Sequence, residues 1–149
     1  MEKLIFDSGI KEYQINDKGV LRFNPGDPNV YARFMESAEK IKSVEQEMVA
    51  KANAVDRSSA TAGEEVLLIM RETDLKMKEV LNGIFGHEND FDKIMEGVNL
   101  MAVAANGERV ITNLLSILRP IMETGAKACV SQEVAVAKQN REQRRATKK

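Results

Sequence analysis

Apolar positions along this chain change period twice, and the changes divide it into strands, helices and a polar tail. Residues 3–24 carry short apolar runs. Leu4-Ile5-Phe6, the turn Asp7-Ser8-Gly9 and the run Ile10–Ile15 read as strand, turn and strand, with Tyr13 and Ile15 alternating against polar neighbours. Asn16–Gly19 is a second turn and Val20–Phe23 a third short strand. Two or three such strands are not stable alone in water, so a helical layer or a second subunit is expected to cover them.

The period then lengthens. Asn24-Pro25-Gly26-Asp27-Pro28 is a hinge, and Asp27 before Pro28 is a strong helix start: the carboxylate can accept backbone N–H groups, and proline loses nothing in the first position. Tyr31, Phe34, Ala38, Ile41, Val44 and Met48 follow at three- and four-residue steps, which predicts a helix over 28–54. Thr61 and Glu64 fit a capping box for a helix over 62–85, whose seam is Val66, Met70, Thr73, Met77, Val80 and Ile84, widened by Leu67, Leu81 and Phe85. The core is the expected place for Met70 and Met77. A short helix over 90–96 is stopped by Gly97, and Val98–Ala105 reads equally as a buried loop or a helix. Asn106 is expected to cap a last core helix, 106–124, through Val110, Leu114, Ile117, Leu118 and Ile121; Pro120 should kink it and Gly125 end it.

These elements predict an α+β fold, mostly α: a small N-terminal β-hairpin or three-stranded sheet packed on a three- to four-helix bundle. Residues 1–125 form the single domain, and residues 126–149 a basic extension, helical or disordered, rich in helix formers with little to bury.

Charge sharpens that division. From Ala126 onward there are seven Lys/Arg and two Asp/Glu, a balance of +5, while the chain as a whole is −1, leaving about −6 on the body. Such a tail can fold back, pair with a neighbouring copy or reach an acidic partner. Arg141, Arg144, Arg145, Lys148 and Lys149 are therefore the candidate partner-binding residues. They could also grip phosphates, but no aromatic is interleaved to stack on bases and the body is acidic, so nucleic acid is a disfavoured partner.

Little else in the chain offers chemistry. The one cysteine, Cys129, fits a reducing cytoplasm, and there is no secretory signal and no apolar run of membrane-spanning length. His87, the only histidine, stands in a polar loop without convergent ligands, and the carboxylates Asp90 and Asp92 read as helix N-terminal charge. No phosphate loop, catalytic triad spacing or calcium loop is present. The expectation is a protein that is not an enzyme and needs no cofactor or metal.

The order of parts also carries a resemblance. Phe23-Asn-Pro-Gly-Asp-Pro-Asn-Val-Tyr-Ala-Arg-Phe34 opening a helix, Val80-Leu-Asn-Gly-Ile-Phe-Gly86, Asp92–Gly97, and Asn106–Leu115 after an apolar loop resemble the tail assembly chaperones of siphophages and prophages of Gram-positive bacteria. The resemblance spans residues 10–149 in loose patterns rather than one invariant motif. It implies a non-enzymatic protein of the infected cell's cytoplasm that coats the tape measure protein and keeps it soluble while tail tube subunits polymerise around it. A longer frameshifted product often accompanies the shorter one in that family. The chain is expected to self-associate into rings or a helical array, partly through edge strands, which multiplies weak contacts; Met35, Met48, Met70, Met77, Met95, Met101 and Met122, within or beside the helices, face either the core or a client. The rival readings are a nucleic-acid-associated phage regulator using the basic tail, a structural virion subunit and, least favoured, a small enzyme.

Overall fold

The structure is a computed structural model and describes residues 1–147. Strands β1 (Lys11–Ile15) and β2 (Gly19–Phe23) form an antiparallel hairpin with Lys11 opposite Phe23 and Ile15 opposite Gly19. Asn16 turns the chain at φ +53, a left-handed conformation that asparagine tolerates better than most residues. Ile15, Leu21 and Phe23 are buried, while Glu12, Gln14, Val20 and Arg22 face outward, as a two-residue period on a half-covered sheet requires.

Helix α1 (Pro28–Asn53) starts where the Asp27 carboxylate accepts the Asn29 N–H, with Pro28 in the first position, as expected. It forms an antiparallel pair with α2 (Ala62–Phe85): the Arg33 side chain donates to the Ile84 carbonyl at one end, and Lys51 lies beside Glu72 at the other. The short α3 (Phe91–Ile94) and the long α4 (Val110–Thr147) complete an α+β fold that is mostly helical, with the hairpin packed on helices.

A run of rings ties the hairpin down. Tyr13 and Phe23 lie 5.2 Å apart between centroids, Phe23 meets Phe85 of α2 edge-on at 4.9 Å, and Phe85 meets Phe91 of α3 at 5.5 Å. Burying each of Phe23, Phe85 and Phe91 contributes about 1.5–3 kcal/mol, which is how a hairpin of two five-residue strands that could not persist alone becomes part of the core. The predicted α2 seam is also there: Thr73, Met77, Leu81, Ile84 and Phe85 are buried, and Met70 and Val80 half-buried. Leu67 is exposed instead, because α2 outruns the body at its N-terminal end.

Several expectations give way. Leu4–Phe6 is not a third strand. The Asn24 side-chain amide donates to the Ser8 carbonyl, and Gly9 lies against Asn24, so the chain leading into β1 runs on past the end of the hairpin instead of doubling back. Thr61 makes no capping bond to the backbone; its hydroxyl donates to Glu65. Asn106 does not cap α4. It sits at a loop tip, paired with the Asn113 side chain, and the Leu100 and Ala102 carbonyls take the first N–H groups of the helix. Residues 98–105 form a loop that buries Leu100 and Met101.

Pro120 lies inside α4 without ending it. It stands on the solvent side with Ser116, whose carbonyl loses its helical partner there and can turn to water. Nor does α4 stop at Gly125. A Cβ there would run into the Pro25 carbonyl, so glycine marks a close crossing of helix and loop.

Candidate partner-binding surface

Helix α4 divides into an anchored and a free half. Ile111, Leu114, Leu118 and Met122 are buried, and the Arg119 guanidinium lies 5.7 Å from the centre of the Phe34 ring. Beyond the Gly125–Pro25 crossing the helix leaves the body, and every residue from Ser131 to Thr147 is exposed. At about 1.5 Å per residue that is roughly 25 Å of unsupported helix.

The helical repeat of about 100° per residue arranges this free half. Val130, Val134 and Ala137 follow one side of it, and Arg141, Arg144 and Arg145 continue along the same arc, so a narrow apolar stripe leads into a basic end. Val134, Ala137, Lys138, Arg141, Glu142 and Arg145 together line a shallow depression on this face. Three of the five candidate residues are thus brought onto one surface; Lys148 and Lys149 lie outside the described residues. None of the three makes an ion pair with another side chain among the described residues.

The methionines do not gather on the surface. Met48, Met77, Met95, Met101 and Met122 are buried and Met70 is half-buried; among the helical methionines only Met35 is largely exposed. Their adaptable contacts serve the core. The exposed apolar residues are spread over other parts of the chain, among them Leu67, Leu68 and Leu75 on α2, Ile117, Val130, Val134 and Val136 on α4, and Leu4, Ile5 and Phe6 before β1. The last group was hidden from a sequence reading because its pattern is also that of a strand.

The residues with chemical potential are dispersed. His87 sits at the rim of an open cleft of about 540 Å³ between α1 and α2, walled by charged residues such as Arg33, Glu36, Lys40 and Glu79. Cys129, half-buried, lines a different cleft beside Pro25 and Gly26. Asp90 caps α3, and Asp92 engages Lys78. Among the described residues no three His, Cys, Asp or Glu side chains are grouped to hold a metal ion, and no helix is long and apolar enough to cross a membrane.

Two polar clusters that sequence reasoning did not single out hold the body in shape. Lys78 is buried and donates to Asp74 at 2.9 Å and to Asp92 at 2.7 Å, while the other Asp74 oxygen accepts the Leu100 N–H at 2.7 Å. Burial disfavours the ammonium, but hydrogen bonds to Asp92 and Asp74 outweigh it and hold the Lys78 pKa above the ordinary lysine value. Asn89, also buried, accepts the Arg22 N–H and donates to the Arg22 and Phe85 carbonyls, pairing the outward groups of β2 at Arg22 and tying them to the end of α2. Asp74 and Lys78, four apart and each following a seam residue, were the available signal for the first cluster.

No protein-family model, curated protein or solved structure matches this chain.

Proposed function

We propose that this chain is a phage tail assembly chaperone that binds the tape measure protein and keeps it soluble while the tail tube forms, acting by contact rather than by chemistry. The observation that carries the reading is the free half of α4. An isolated helix of this length is marginal in water, and this one combines a narrow apolar stripe with a basic end. A tape measure is a long, largely helical chain whose apolar stripe aggregates when bare. The stripe through Val130, Val134 and Ala137 offers it helix-to-helix contact, and Arg141, Arg144 and Arg145 offer attraction to acidic flanks. Contacts of this kind are weak singly, which suits a protein that tail tube subunits must later displace.

The sequence resemblance supports the same reading, and so does the scatter of His87, Cys129 and the carboxylates over separate parts of the surface. The test is co-expression with the tape measure protein of a matched phage. The expected result is a soluble client that co-purifies with the full chain and returns to the pellet when residues 131–149 are removed. A client that stays insoluble with the full chain would reject the proposal. Tail-dependent binding to duplex DNA that weakens steeply with salt would favour the regulator reading instead.

A further inference from the structure

The two edges of the hairpin differ: a side chain occupies the β2 edge at Arg22, and among the described residues none is bonded to that of β1. Asn89 saturates the outward N–H and C=O of Arg22 on β2. Since Arg22 faces away from β1, its partner Glu12 belongs to a pair not hydrogen-bonded across the hairpin, and so does Gln14 two residues on. The N–H and C=O groups of Glu12 and Gln14 therefore point to the free side of β1, where no third strand lies among the described residues. A bare edge of this kind is a template for another strand.

The open edge has an apolar floor. Residues of β1 and α4 line two clefts together, one at each end of the strand: Ile15 with Val110 and Ile117 in a cleft of about 400 Å³, and Lys11 with Gly125 and Ala128 in one of about 530 Å³. Between them Tyr13 and Ile121 are half-buried, and Ile117 is 54% exposed.

The same chain carries a segment of matching chemistry. Leu4, Ile5 and Phe6 are 89%, 82% and 82% exposed. In an extended strand Leu4 and Phe6 fall on one side and Ile5 on the other. Their own β1 edge is out of reach, because the Asn24–Ser8 contact carries the segment away past the end of the hairpin. A donor that cannot serve its own acceptor can serve a neighbour's.

We propose that residues 3–8 of one copy add as a third strand to the free edge of β1 in a second copy, with Leu4 and Phe6 laid over the floor formed by Tyr13, Ile117 and Ile121. The contact joins different surfaces on the two partners, so repetition builds a ring or a filament rather than a closed pair. It goes beyond the chaperone reading and holds whatever client the assembly carries.

Light scattering coupled to size exclusion tests it on the full chain. Wild-type protein is expected to elute as a multimer of the 16.6 kDa chain. Leu4→Glu/Phe6→Glu, which cannot donate, and Ile117→Glu, which cannot accept, should each run as a folded monomer. Both alter exposed side chains, and circular dichroism checks the fold. Mixed in equal amounts, the two should form a one-to-one pair and nothing larger, since each retains the half the other lacks. A peptide of residues 1–10 should break the wild-type multimer down. A monomeric wild type, variants that keep the multimer, or a mixture without pairs would each overturn the proposal.

Discussion

Lys78 joins α2 to α3 through Asp92 and, through Asp74, to the loop before α4. Removing it strands a buried Asp74 carboxylate, so Lys78→Ala should destabilise the fold by about 3–5 kcal/mol in urea denaturation. Because the Lys78 pKa is raised on folding, its contribution is fully present below the unfolded value of about 10.4 and is lost as pH rises through the folded value. The wild-type urea midpoint should therefore show no loss from this group between about pH 7 and 9, and a fall above about pH 10.5 that Lys78→Met lacks. Two glycines give opposite outcomes from the same substitution. Gly125→Ala forces a methyl group into the Pro25 carbonyl and should cost about 1–3 kcal/mol, whereas Gly83→Ala, inside α2 with open space around it, should stabilise by about 0.5–1 kcal/mol. Thermal melts of the pair check both signs.

The free half of α4 and the N-terminal segment are attached to the body without holding it together. Ending the chain after Val130 should leave the stability of residues 1–130 within about 0.5 kcal/mol of wild type while lowering the far-ultraviolet helical signal, since every described residue removed is exposed. Loss of cooperative unfolding in that truncation would contradict the division of α4 into anchored and free halves. Element by element, periodicity made α1 and α2 legible because each keeps one apolar face over many turns. It failed where tertiary contacts decide: glycine at 125 reads as a stop until Pro25 is seen beside it, and Leu4–Phe6 reads as a strand until Asn24 is seen holding Ser8. The basic residues of the tail were legible from composition, but their placement on one arc required the helix to continue through Gly125. Asp74 and Lys78 were not legible as a buried pair because Asp92, which completes the cluster, is fourteen residues further on.

At the scale of the whole molecule, an acidic body carries two appendages: an extended segment with three bare apolar residues and a helix with a basic end. Both expose apolar side chains of the kind that make contact with other polypeptides. The central claim is that the free half of α4 is a receiving surface for a helical client. Hydrogen exchange on the full chain, alone and with a co-purified tape measure protein, measures this directly. Without client, amides of residues 131–147 should exchange far faster than those of residues 111–122 in the same helix; with client, they should become protected, and Arg141→Glu/Arg145→Glu should abolish the protection. A bound client that leaves residues 131–147 exchanging as fast as before would contradict the account.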